Sequence, residues 1–198
     1  MKRIALAALC AASITLGACA TSAYVSPVEV TRFVGERPQQ LGSGPIAVRA
    51  GPGADGDSFE LGMFQQAVAR ELQELGYTVV EGDAPQVAEV SLDSMVEQPG
   101  RSRGPVSVGG GVGTGSYGSS AGVGVGIDLS PRPSERVHRE LRVRIRSASD
   151  GTALWEGRAR FTATANSDFA ANDAAAAKLA DALFGGFPGQ SGETIEVR

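Results

Sequence analysis

Between Arg136 and Phe161 the chain alternates strictly enough to dictate a pairing. Val137, Leu141, Val143 and Ile145 hold odd positions, while Arg136, His138, Glu140, Arg142, Arg144 and Arg146 hold even ones. A period of two marks a strand with one face on a core and the other in water. After Ser149-Asp150-Gly151, the apolar residues Trp155, Ala159 and Phe161 are again odd-numbered. A hairpin with a single core face must set Ile145 opposite Trp155. An odd-length connection does this and a two-residue Asp-Gly loop does not, so a three-residue turn is expected, with Gly151 left-handed in a G1 bulge. The same register sets Arg144 against Glu156, Glu140 against Arg160 and Arg142 against Arg158.

The remaining elements fall around this pair. Val28 with Val30, and Ile46 with Val48, mark two short extended segments. Leu61, Phe64, Val68, Leu72 and Leu75 form a helical stripe, with Asp57 as the expected cap, Glu60 as its capping-box partner and Gly76 as the stop. Tyr77–Val80 is a brief strand. Ala88, Val90, Leu92 and Val96 alternate with Glu89, Asp93 and Glu97 in a half-buried one. Asn166, Ser167 and Asp168 offer caps to an alanine-rich helix whose stripe is Ala176, Leu179, Ala180 and Leu183, stopped by Gly185. Thr194–Val197 is a last strand. The expected fold class is α+β, a two-layer sandwich of an antiparallel sheet with two helices packed on one face.

Glycine is the compositional excess: 27 residues, ten of them between Gly104 and Gly126, a stretch without a single charge. Gly113-Thr114-Gly115-Ser116-Tyr117-Gly118 satisfies G-x-G-x-x-G, but no helix former follows it, so dinucleotide binding is excluded. Val106, Val108 and Val112, then Val123, Val125, Ile127 and Leu129, keep a period of two. Three readings fit this Gly-rich insertion at 104–127: a low-complexity loop, a glycine hairpin docked on a sheet or partner, and a membrane-inserted hairpin.

The N-terminus is an address. Lys2 and Arg3 precede an uncharged run from Ile4 to Leu16, too short to span a bilayer, which needs about 20 apolar residues. Leu16-Gly17-Ala18-Cys19 resembles the bacterial lipobox, where a diacylglycerol joins the cysteine thiol before cleavage. The expected organisation is a signal peptide at 1–18, a lipidated tether at 19–26 with Cys19 as the lipidation site, and one domain at 27–198. The plainer alternative is A-x-A cleavage after Ala20. Ala20 is not the aspartate of inner-membrane retention, so the outer membrane is expected, with the protein facing the periplasm. Cys10 departs with the signal and Cys19 is lipidated, so no disulfide is expected, and the formal charge moves from -4 to -6.

Several chemistries lack their residues. The acidic balance argues against nucleic acid. Lys178 is the only lysine beyond the signal, which removes a P-loop, and no nucleotide or other cofactor is expected. His138 is the sole histidine, which leaves no usual zinc site, metal site or Ser-His-Asp triad. One charge pattern stands out: seven arginines against Glu140, Asp150 and Glu156 over residues 136–160. Arg142, Arg144, Arg146, Arg158 and Arg160 form either a solvated face of cross-strand pairs or a surface for an anionic glycolipid or the acidic patch of an envelope protein.

Thr31-Arg32-Phe33, Glu71-Leu72-Gln73-Glu74-Leu75-Gly76-Tyr77, the Gly/Val segment, Leu154-Trp155-Glu156-Gly157 and Ala182-Leu183-Phe184-Gly185-Gly186-Phe187-Pro188-Gly189 join the lipobox in one pattern. It resembles the Gram-negative lipoproteins classed as domain of unknown function 4136. The resemblance implies an outer-membrane lipoprotein and supplies no catalytic residue. The function expected is a non-catalytic structural or interaction role in the envelope. The alternatives are a periplasmic binder of a small or lipidic ligand, with a pocket between helices and sheet, and a carboxylate hydrolase.

Overall fold

Parity places the core first. The computed structural model describes residues 22–98, 106–115, 118–127 and 134–198; the expected signal peptide and Cys19 lie outside them. The strands are β1 (Val28–Val34), β2 (Gly44–Ala50), β3 (Tyr77–Val79), β4 (Gln86–Glu97), β5 (Val106–Gly115), β6 (Gly118–Ile127), β7 (Arg136–Ser147), β8 (Ala153–Thr164) and β9 (Thr194–Val197). The helices are α1 (Phe59–Glu74) and α2 (Asn172–Phe184). The body comprises Ala23–Glu97 and Glu135–Arg198, and a second unit contains the glycine-rich segment.

In the body, seven strands run in the order β3-β2-β4-β7-β8-β1-β9. The sheet is mixed, which corrects the all-antiparallel expectation: β2 pairs in parallel with both β3 and β4, and the other pairs are antiparallel. The reason is connectivity. A parallel neighbour needs a crossover, and α1 supplies it between β2 and β3. β2 then serves both sides by halves, since Gly44–Ile46 meet Tyr77–Val79 while Ile46–Ala50 meet Gln86–Val90.

The β7–β8 hairpin keeps the expected register by another device. Ile145 stands opposite Trp155, and Gly151 is left-handed at φ 71°. However, Ser147 N–H donates to the Thr152 carbonyl (2.9 Å), so four residues, Ala148–Gly151, make the turn. Arg146 then pairs with Ala153, and Leu154 is the extra residue of a bulge that restores parity. Within the turn, Asp150 accepts from Thr152 N–H (3.1 Å) and Arg37 (2.9 Å), and both hold its carboxyl well below the usual carboxylate range.

Both helices close one core against the sheet. Leu61, Phe64, Val68 and Leu72 on α1 and Ala176, Leu179, Ala180 and Leu183 on α2 are buried, as the stripes require. The caps differ from expectation. Ser58, not Asp57, caps α1 through Leu61 N–H (3.4 Å), which moves Glu60 out of the capping-box position. Ser167 caps a 3-10 turn at Asp168–Ala170, and α2 begins later behind Ala171.

Trp155 is the keystone of the far end of the core. Its ring stacks on Phe184 (centroids 5.4 Å) and tilts against Phe187 (5.1 Å), while Nε1 donates to the Pro188 carbonyl (2.9 Å). The ring lies over Gly157, where a Cβ would come within 2.3 Å of its edge. Gly157→Ala is therefore expected to destabilise the fold by about 1–3 kcal/mol through overpacking, read as a lower urea midpoint. Glu71 on α1 offers a pH test. Burial, then the like charges of Glu74 and Asp181, raise its carboxyl above the ordinary value, against a lesser pull from Arg70. The folded state thus holds this proton more tightly than the unfolded one. Stability from this site falls as pH rises from the ordinary to the raised value, and the deficit persists above it. Glu71→Gln should raise Tm at neutral pH, with the gain shrinking on acidification through that window.

Candidate functional site

With the helices on one face, the other face of the sheet carries no helix, and strand parity decides what it displays. The arginines foreseen at even positions of β7 and β8 are all there, but most are already engaged. Arg144 pairs with Glu156 at 2.9 Å, Arg146 with Glu89 at 2.6 Å, Arg160 with Glu29 at 2.7 Å, and Arg142 with Glu140 along its own strand. The Glu140–Arg160 neighbours foreseen by register are adjacent, yet each takes a different partner. Glu29 on β1 raises the Arg160 guanidinium above its ordinary value.

Arg158 is the exception among these five. It is exposed, stands directly opposite Arg142, and has Thr31 on its β1 side. No acid separates the two guanidinium-bearing residues, and like charges in direct cross-strand opposition repel. A hollow of about 190 Å³ lies here, bordered by Phe33, Arg142, Arg144 and Arg158 and by the acids Glu89 and Glu156. Phe33 is 45% exposed and adds an apolar edge to a cationic site.

A larger hollow, about 490 Å³, lies farther along the same face among Glu29, Asp93, His138, Glu140, Arg160 and Glu196. His138 is half-buried: Nδ1 meets Thr162 Oγ1 at 2.8 Å and Nε2 meets Glu97 Oε2 at 3.0 Å. Asp93 and Glu140 are cross-strand neighbours, but Asp93 is exposed, without the buried setting that a catalytic acid pair requires. Among the described residues, no cluster of His, Cys, Asp and Glu could hold a metal ion. No helix among them is long and apolar enough to cross a membrane. The expected ligand space between helices and sheet is filled by Phe64, Leu72, Trp155 and Leu183, all essentially inaccessible.

Two arginines escaped the sequence reading because they face inward. Arg139 stands in the odd series of β7, 6% exposed, and donates to the Phe169 (3.2 Å) and Ala170 (2.9 Å) carbonyls and to Asn172 Oδ1. Arg32 on β1, also 6% exposed, donates to the carbonyls of Ala182 (2.9 Å), Leu183 (2.9 Å) and Gly185 (2.6 Å). Burial lowers both guanidinium values, opposed by Glu193 near Arg32 and Glu60 near Arg139. The signal was available: each is a lone charge on an apolar parity.

Comparison with known proteins gives a family without an assigned activity. A 65-residue stretch is 42% identical to the Uncharacterized protein ZMO1243 of Zymomonas mobilis subsp. mobilis, a match that takes in 33% of this chain and 24% of that protein. The chain thus spans about a quarter of that relative's length. Among solved structures, a PDZ domain protein from Parabacteroides distasonis aligns over 93% of this chain and 40% of its own, with TM-score 0.50 and 14% identity, a likeness of fold alone. The PelC dodecamer from Paraburkholderia phytofirmans aligns over 77% of this chain and 91% of its own, with TM-score 0.42 and 11% identity. Residues 48–189 match a family described as a domain of unknown function, and the chain belongs to that family, DUF4136.

Proposed function

We propose that this protein is an outer-membrane lipoprotein, anchored through Cys19 and facing the periplasm, whose work is non-catalytic binding by the helix-free face of its sheet. The lipobox at Leu16–Cys19 supports the anchor, since several acyl chains on one residue exceed the two-signal threshold for stable membrane attachment. The observation that carries the binding role is the Arg142–Arg158 pair beside the exposed ring of Phe33. Arg142 already holds Glu140, so the uncommitted guanidinium is that of Arg158; an anion bound there relieves its repulsion with Arg142, and guanidinium groups suit phosphate and carboxylate. The ligand class is therefore anionic material of the envelope, with glycolipid phosphate the foremost case. A second reading, a small polar ligand, belongs to the larger hollow at His138 and Arg160, outside the helix–sheet interface.

Two experiments test the two halves of this proposal. Cys19→Ala should release the protein into the soluble periplasm or leave an unprocessed precursor. An unchanged fractionation and intact mass would remove the lipid anchor. For the face, Arg142→Ser combined with Arg158→Ser should leave Tm within a degree or two of the parent, because these side chains hold no buried contact. Co-sedimentation with vesicles containing lipopolysaccharide should fall about tenfold or more, as expected for losing two charge-assisted contacts. Equal binding by parent and variant would remove the arginine site.

A further inference from the structure

The glycine-rich segment forms a ribbon of its own, β5–β6. The loop reading of residues 104–127 does not hold there: all ten residues of each strand are paired, from Val106↔Ile127 at the base to Gly115↔Gly118 at the tip. The register divides the ribbon into two unlike faces. One carries the pairs Val106↔Ile127, Val108↔Val125, Gly110↔Val123 and Val112↔Ala121 and, toward the tip, Thr114↔Ser119, and the other holds only glycine and serine. In the sequence the nearest charges are Arg103 and Asp128, with none between them.

Such a ribbon is poorly provided for in water. A lone two-stranded hairpin is marginal, glycine is a weak strand former, and both edges present rows of unpaired N–H and C=O groups. The dimensions match a different solvent. Membrane-spanning strands take about 9–11 residues. Ten extended residues reach about 34 Å, and a tilt of about 40° reduces this to about 26 Å, close to the apolar band of about 25 Å in outer-membrane barrels. Alternation of an apolar face with a small polar one is also the barrel pattern. Lipid nevertheless forbids open edges, so each must meet another edge of the same length. A second copy of this chain supplies one.

We infer that copies of this chain pair their β5–β6 ribbons edge to edge into a closed barrel in the outer membrane, with the valine face toward lipid and the glycine–serine face toward an aqueous lumen. The inference rests on the lipoprotein reading for its membrane. The smallest such barrels have about eight strands, so at least about four copies take part. The lumen is lined by backbone and hydroxyl groups rather than by charge.

The test uses the full chain, made with its own N-terminus in a Gram-negative host and extracted in mild detergent. Native mass should correspond to four copies or more, and replacing residues 106–127 by a short Ser/Gly linker should give a monomer with unchanged Trp155 fluorescence. Val108→Cys and Gly109→Cys, made separately, are then exposed in intact membranes to two maleimides. The lipid-soluble reagent should modify position 108 at least tenfold more than the impermeant one, and position 109 should show the reverse. A monomeric parent, an assembly untouched by removing the ribbon, or equal labelling of both positions by the impermeant reagent would each overturn the barrel. The acyl mass on Cys19 is measured in the same samples. Lipidated but monomeric protein sinks the barrel alone, whereas missing lipid sinks the anchor and, with it, the membrane placement on which the barrel rests.

Discussion

Arg32 reaches from the inner face of β1 to the last carbonyls of α2, and much of the body depends on that reach. A guanidinium taken out of water is costly unless its donors are satisfied. Here three carbonyls left over at the end of a helix accept them, so two groups that would each be unfavourable alone resolve one another. Arg139 does part of the corresponding work before the first turn, holding the Phe169 and Ala170 carbonyls and Asn172, while its buried Nε lies 3.8 Å from Glu60 without a hydrogen bond. α2 is thereby fixed at both ends to the sheet it covers. Trp155 packs in the space this leaves, with Phe184 and Phe187 around it and the bare backbone of Gly157 beneath.

The legible parts of the fold were those where one periodicity acts alone. The odd series of β7 and β8 revealed the core face, the register at Ile145 and the Arg144–Glu156 pair. The route to that register was not legible, because a four-residue turn plus a bulge at Leu154 and a three-residue turn give the same parity. Parallel pairing was hidden for a related reason. β2 and β3 are seven and three residues long, and direction leaves no trace in such short alternations. Arg139 and Arg32 each stand as a lone charge in an apolar series, Arg32 in the short one of Val28, Val30 and Val34, and a single interruption does not reveal what an inward-facing guanidinium will bond. At the candidate site the sequence located the arginines. It could not show which ones were neutralised, because Glu29 and Glu89 come from strands whose neighbours only the tertiary fold determines.

That neutralisation narrows the chemistry. An arginine-rich stretch of sequence becomes, on the sheet, a mosaic in which most cations hold a carboxylate; Arg142 itself holds Glu140, and Arg158 stands opposite it without an ion pair, near an exposed aromatic ring. Specific recognition suits such a surface better than broad electrostatic attraction. Its selectivity would come from two planar forks at one hollow rather than from the net field of an acidic chain.

The path of the chain before β1 also limits where this surface can work. Tyr24 N–H donates to Thr164 Oγ1 (2.9 Å), Val25 bridges to Ala163, and Ser26 N–H donates to the Thr162 carbonyl (2.9 Å). The body is therefore gripped from Tyr24 onward. Under the proposed anchoring, only four residues separate Cys19 from Tyr24, a leash of no more than about 18 Å when fully drawn out. A domain on so short a leash cannot patrol the periplasm. It samples a thin shell beside the bilayer, where lipid headgroups and neighbouring anchored proteins are the material within reach.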